Sequence, residues 1–414
     1  MPSVPNFRPS TNAPLFHNGP WPAGTNLSVS IMGLPAISID ATQMGLCGGM
    51  SFLARDIYES GTEQLRNRGA SRIPAALAQH VLNRLIQSFD GGPVVARWLS
   101  DTQAVDHDTF FRGAGLYRRT VEECPAVMAD IDAGVLSPIG LVLTESFAPW
   151  AVFQNHVVLV WRYERNGNML TLYTYDCNRE GNDSIIITLD IGSPVPAKTI
   201  TTNGTDGPKP GSIRGFFRLP YKHADPSPAY IDDAVAVLRT PPPLQMTPGQ
   251  QAGVTVDVTN RGSTRWTAAD GYRLGSQAPQ DNLIWGLGRV ELPRSVDPDE
   301  TVSFNFDITA PARDDGYAFS WRMLREGVRW FGTTTPMLRI AVGGAGDMCD
   351  ALRDQHLALA TELADVRAEI AAIDWSDPFA ARTGTASLAR QARELQRQLT
   401  QLEADQVANG CLSP

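Results

Sequence analysis

The sequence predicts three units in series: an α+β domain over residues 1–225, an all-β sandwich over 226–343 and an antiparallel α-helical hairpin over 344–414. Apolar residues recur at helical spacing up to about residue 135 and alternate afterwards, so within the first unit helices precede a sheet. Proline-rich passages at 225–228 and 240–243 part it from a stretch in which nearly every segment is strand-like. Beyond residue 346 the apolar repeat becomes a heptad. A chain of 414 residues also exceeds what one ordinary core supports.

In chain order, residues 1–25 are rich in Pro and Asn and read as an irregular arm. Residues 26–40 (NLSVSIMGLPAISID) alternate enough for one or two strands. They lead into 43–61 (QMGLCGGMSFLARDIYESG), a glycine-rich turn that hands Cys47 to the start of an amphipathic helix over about 50–59. Gly45, Gly48 and Gly49 would let the backbone come close to a ligand. A second helix is expected over 73–89, with Pro74 where a first turn tolerates it, and a third over 117–133. Strands follow at 139–144, 156–163, 169–176, 184–190 and 215–219, with Asn166-Gly167 as the hairpin turn between the second and third.

In the second unit, 254–260, 301–310, 317–324 and 337–342 are short strands separated by turn residues, the pattern of a sandwich. After a glycine-rich joint at 343–346, Leu352, His356, Leu359, Leu363, Val366, Ile370 and Ile373 fall in steps of four and three. Leu388, Ala392, Leu395, Leu399 and Leu402 repeat the pattern beyond the loop DPFAARTGT. Two helices of similar length joined this way form an antiparallel hairpin.

Composition removes several classes of function. The net charge is −9 and no basic stripe exists, so a nucleic-acid partner is not expected. No window approaches about 18 consecutive apolar residues, and the N-terminal residues lack the charged and apolar regions of a signal peptide. No membrane span is expected, and the compartment is the cytoplasm or one reached without a cleavable signal. The five cysteines, at 47, 124, 177, 349 and 411, form no Cys-x-x-Cys pair, so neither a metal nor a cofactor is expected.

What the first unit does contain is one candidate for each role in thiol acyl transfer. A helix N-terminus favours thiolate at Cys47, and a thiolate is the nucleophile. His156 opens the strand HVVLVWRY and would emerge at the sheet's edge as the base. Asp176 closes LTLYTYDCN as the group that orients the base, and Gln43 supplies an oxyanion donor. Strand register decides whether the middle pair can meet. A hairpin loop of two or four residues sets Asp176 on the face opposite His156; an odd loop or a bulge sets them on the same face. Asn178 shares that face and is the alternative orienter.

Gln43, then Cys-Gly-Gly-Met opening a helix, then His-Val-Val-Leu-Val, then Tyr-Asp-x-Asn resembles the Cys–His–Asp/Asn order of papain-like cysteine peptidases. QNHVVLVWRYERNGNMLTLYTYDCN is similar to the His-strand and acid-strand hairpin of the bacterial members. The resemblance covers roughly 40–220. It implies a papain-like fold, Cys47 as nucleophile, His156 as base and then acid, Asp176 as orienter, and Gln43 with the Cys47 N–H as oxyanion hole. Gln43 stands closer to Cys47 than the papain pattern places it. Trp266, Trp285, Trp321 and Trp330, with APARDDGYAFSWRM, resemble the four-tryptophan immunoglobulin-like domain. That resemblance implies a protein-binding or spacing module.

The function expected is therefore a cysteine peptidase that cleaves a peptide or isopeptide bond in a peptide or protein substrate. Further protein partners would use the immunoglobulin-like domain or the hairpin, through which an oligomer is also open. Two other readings fit the same residues: a catalytically dead relative serving in a larger assembly, and a transglutaminase-like acyltransferase. In the hairpin, Cys349 precedes the first helix and Cys411 follows the second, which places them side by side for a disulfide or as two reduced thiols. A bond closing that loop would stabilise the fold by about 4 kcal/mol. Mass mapping without reductant distinguishes the two: a joined Cys349–Cys411 peptide is expected from an oxidising compartment, and two free thiols there would exclude the bond.

Overall fold

In the first unit the longer helices precede the larger sheet, as the switch of apolar period requires. The computed structural model describes residues 2–22, 24–29, 37–40, 45–67, 73–89, 92–109, 114–192, 198–204, 210–343, 348–371, 378–408 and 411. The chain divides into Met1–Ile231 and Asp232–Pro414. The first unit runs α1 (Pro9–Asn12), β1 (Asn26–Val29), β2 (Ile37–Asp40), α2 (Cys47–Ser60), α3 (Ala75–Ser88), α4 (Gly92–Gln103) and α5 (Leu116–Asp132). It continues with β3 (Ser137–Val142), β4 (His156–Asn166), β5 (Met169–Tyr175), β6 (Ile186–Asp190), β7 (Ile200–Thr202), β8 (Ser212–Ile213) and β9 (Gly215–Arg218). Strands β3 to β9 form one antiparallel sheet in the order β8-β7-β6-β5-β4-β3-β9.

The Cys47 helix is set by its ends and its buried face. Its first main-chain bond is Met50 N to Leu46 O at 2.9 Å. It stops at Gly61, whose φ of 62° admits the left-handed cap, with the Gly61 and Thr62 N–H groups bonded to Tyr58 and Ile57 carbonyls. Met50, Leu53, Ala54 and Ile57 are buried, and Ser51 Oγ donates to Val157 O of β4 at 3.2 Å. The helix thus lies on the strand that carries His156.

The helix glycines have a different reason from the one expected. A Cβ on Gly49 would sit 2.0 Å from Val81 O of α3, and one on Gly48 would sit 2.5 Å from Ser88 Oγ. Gly49 lets α2 meet the backbone of α3 and Gly48 makes room for the Ser88 and Leu85 side chains, whereas Gly45 lines the cleft. A further difference is α4, hidden in sequence by its Gly-Pro start. Its Trp98 meets the Phe217 ring edge-on at 4.7 Å and fills the space a Gly140 side chain would need.

The β4–β5 hairpin turns at Gly167–Asn168, one residue later than expected, with Asn166 opposite Met169. An unbroken ladder from this turn would leave Asp176 on the wrong face. Between Val160, opposite Thr174, and Arg162, opposite Tyr173, Trp161 is an extra residue, and this bulge shifts the register by one. The N-terminal arm secures it. Val4 N donates to Trp161 O at 2.8 Å, Tyr163 N donates to Pro2 O at 3.2 Å, and the Arg8 guanidinium lies 4.6 Å over the buried indole.

The second unit comprises β10 (Ala234–Thr240), β11 (Gln245–Met246), β12 (Gln251–Asn260), β13 (Tyr272–Gln277), β14 (Arg289–Glu291), β15 (Thr301–Thr309), β16 (Asp315–Arg325), β17 (Arg329–Phe331) and β18 (Leu338–Val342). A three-stranded sheet, β10-β12-β15, shares one core with a sheet ordered β11-β18-β16-β13-β14, in which β17 also pairs with β16. Two helices follow, α6 (Met348–Ala371) and α7 (Pro378–Ala408). Gln406 bonds Leu352 O, His356 pairs with Glu403 and Arg367 bonds Gln396, so partners run in opposite directions along the two helices. Leu352, Leu359, Leu363, Val366, Leu395, Leu399 and Leu402 form their buried seam. The expected loop DPFAARTGT is shorter than read: α7 begins at Pro378, which suits a first turn, and passes through Gly384. The joint residues 344–346, and Ile373, lie outside the described residues.

Replacing a mid-helix glycine by alanine ordinarily stabilises by about 1 kcal/mol. At Gly49 the 2.0 Å approach to a main-chain carbonyl reverses the sign. Gly49→Ala is expected to lower stability by about 1–3 kcal/mol in chemical denaturation; a neutral or stabilising result would show that the two helices can separate without cost.

Candidate active site

Cys47 occupies the first position of α2, where the N–H groups lack intrahelical acceptors and the dipole favours negative charge. Among the described residues the free cysteines are Cys47, Cys124 and Cys177, of which Cys47 is the half-buried one. Burial pushes the Cys124 thiol up to about 12, and burial together with the charge of Cys47 pushes the Cys177 thiol up as well. Both stay protonated, which leaves Cys47 as the thiol with access to a cleft.

His156 is the first residue of β4, and its ring is 4% exposed. Its Nε2 lies 2.8 Å from Asp176 Oδ1. Asp176 follows the last residue of β5 and is held by a turn in which its Oδ1 also accepts the Asn178 N–H at 2.9 Å. The Trp161 bulge makes this meeting possible, since it brings positions 156 and 176 to one face. The ring is hydrogen-bonded to the Cys47 side chain too. With Nε2 taken by Asp176, Nδ1 is the nitrogen left for the sulfur.

Burial, the largest influence on His156, works against the charged ring. The Asp176 carboxylate and the Cys47 sulfur together outweigh it and push the imidazole from its ordinary 6.5 up to about 10. The arrangement favours the imidazolium, the form that can hand on a proton.

Cys47 and His156 line a cleft of about 320 Å³, with Asp176 buried behind the ring. Its lining includes apolar Leu85, Phe89, Trp98, Leu143, Val152 and Phe153, together with Asn18, Gly45 and Asn178. Asn155 fixes the loop that supplies part of the apolar wall: its Oδ1 accepts the Leu143 N–H at 2.9 Å and its Nδ2 donates to Thr102 Oγ1 at 2.9 Å.

Of the residues singled out in the sequence, Cys47, His156 and Asp176 come together. Asn178, the alternative orienter, lines the same cleft, but its Oδ1 accepts from Asn18 Nδ2 at 3.2 Å while Asp176 holds the ring. Gln43 lies outside the described residues. Cys411 is disulfide-bonded; Cys349 is the second residue of α6 instead of preceding it, and its side chain lies outside the described residues. Donor atoms of His156, Asp176 and Cys177 lie within 4.8 Å of one another, a spacing that could hold a metal ion. The 2.8 Å bond between two of them already gives that pair the geometry of a base and its orienter. Sequence reasoning missed Asn18, Trp161 and the α4 wall. Asn18 sits in an arm with no periodicity, and a bulge leaves no local mark beyond a Trp in a strand.

The pH dependence follows from the His156 shift. A raised value stabilises the fold fully below about pH 6.5, and this contribution is lost as pH rises toward about 10. Any rate that needs the imidazolium should fall on the alkaline side in that upper region. Asp176→Asn removes the largest of the influences that raise the ring. It is expected to move the alkaline limb to lower pH and to reduce turnover roughly 10²–10⁴-fold; an unmoved limb would mean that the carboxylate does not tune the ring.

No family model matches the chain and no curated protein matches it. Among solved structures, the solution NMR structure of the CARDB domain of a Pyrococcus furiosus protein aligns with 27% of this chain and 95% of that domain, at 13% identity and a TM-score of 0.20. A likeness of that size assigns neither a fold nor an activity to this chain.

Proposed function

We propose that the first unit is a papain-like cysteine hydrolase cleaving a peptide or isopeptide bond. The observation that carries this is the buried His156–Asp176 pair at 2.8 Å, with the same ring bonded to a cysteine at a helix N-terminus inside an open cleft. In this reading the Cys47 thiolate attacks the acyl carbon and the carbonyl electrons move to oxygen. His156 protonates the departing amine as the C–N bond breaks, which leaves a thioester on Cys47. Water, deprotonated by the now neutral His156, attacks the thioester, and the acid and free thiolate are released. An amine in place of that water would give acyl transfer. The second unit is read as a four-tryptophan immunoglobulin-like module for binding or spacing. Trp266, Trp285 and Trp321 are buried in its core and Trp330 covers Gly275, so a partner would be met by other residues.

Iodoacetamide at about pH 6 reacts well only with a thiolate of lowered pKa. One adduct on Cys47 is expected, absent from Cys47→Ala and formed much more slowly in His156→Ala. Peptide-library digestion should give products that depend on both residues, and their ends distinguish hydrolysis from acyl transfer. Labelling of Cys47 no faster than a free-thiol control would sink the enzymatic reading and leave a binding protein built on the same fold.

A further inference from the structure

Thiol acyl transfer places negative charge on the former carbonyl oxygen, and a site for it needs at least two aligned donors beside the nucleophile. The Cys47 N–H, in the first turn of α2, is one. The geometry points to Asn18, from the irregular N-terminal arm, as the side-chain donor. This inference rests on the acyl-transfer reading and gives that site a residue that neither the motif nor the spacing marked.

The orientation of the Asn18 amide is fixed by its partners. Leu46 N–H can only donate, so the atom 2.6 Å from it is Asn18 Oδ1. Nδ2 is then turned to the other side, where Asn178 Oδ1 accepts one of its protons at 3.2 Å. An amide nitrogen carries two protons. Among the described residues no acceptor takes the second. Nδ2 also lies against the backbone just ahead of the nucleophile, since a Cβ on Gly45 would come within 2.4 Å of it. Asn18, Gly45, Cys47 and His156 all line the one cleft. The series Asn178, Asn18, Leu46 therefore ties the turn after Asp176 to the start of the Cys47 helix and leaves one neutral N–H for an incoming oxygen. Asn178 is a positioning residue in this arrangement.

The test uses the full chain and two probes read as pH-independent plateau rates. Acylation by p-nitrophenyl acetate, followed as the burst of p-nitrophenolate that depends on Cys47, needs the oxyanion donor. Alkylation by iodoacetamide displaces iodide at a saturated carbon and does not. Asn18→Ala is expected to slow the burst about 10²-fold while alkylation keeps the parent's rate. Asn18→Asp keeps the size and the acceptor for Leu46 N–H but loses the donor, and should show the same split if Asn18→Ala fails to fold. An unchanged burst would overturn the assignment, as would equal slowing of both reactions, the mark of a residue that only supports the turn. A 10²-fold loss in Gln43→Ala with none in the Asn18 variants would give the role to Gln43. A parent protein with neither a burst nor selective alkylation would remove the acyl-transfer reading itself, a result distinct from a split that fails only in the variants.

Discussion

One extra residue in strand β4 decides what the sheet can present to the Cys47 helix. Side chains alternate across a strand, so a register change of one moves each later position to the other face. The turn at Gly167–Asn168 sets a ladder that would carry Asp176 away from His156, and the bulge at Trp161 reverses that parity five residues before the strand's histidine end. The extra residue stays in place because its surroundings over-determine it. The indole is buried and covered by Arg8 at 4.6 Å, and its carbonyl is bonded to Val4 N. The N-terminal arm thus holds the feature that lets His156 and Asp176 meet.

The second constraint is how closely α2 can approach its neighbours. Gly49 lets it touch the main chain of α3, Gly48 clears the Ser88 side chain, and Ser51 ties it to Val157 in the His156 strand. Together these fix the helix start, and with it the sulfur, relative to the ring. The electrostatics follow from that placement. A buried imidazole would ordinarily lose its charge; between a carboxylate and a sulfur it holds it up to about pH 10. Burial first, and then the negative groups nearby, push the thiols of Cys124 and Cys177 up, which keeps both neutral.

The second unit uses its large residues for packing. Trp266 stacks on Tyr272 at 6.1 Å, Trp321 meets Phe306 edge-on at 4.7 Å, and Trp285 donates its Nε1–H to Ala318 O at 2.8 Å. Aromatic rings in such contacts are committed to the core. Val237, Leu283 and Val328, at 51%, 74% and 62% exposure, are by contrast large apolar residues that this sandwich leaves in solvent.

Local pattern in the sequence determined the switch from helices to sheet, the helix that Cys47 heads, the strand that His156 opens, and the leucine seam of α6 and α7. Each depends on spacing within about twenty residues, and amphipathic periodicity at that range is set by which face must leave water. The hairpin was legible as well, but its parity was not, because a bulge is stabilised by an arm more than 150 residues away in sequence. The role of the helix glycines was hidden for the same reason: a glycine that admits a ligand and one that admits a neighbouring helix look alike until the neighbour is in place. Asn18 is the extreme case. Nothing around it in the chain distinguishes it from any polar residue of an irregular arm, and only the tertiary fold sets its amide against Leu46 and Asn178 in the cleft that Cys47 lines.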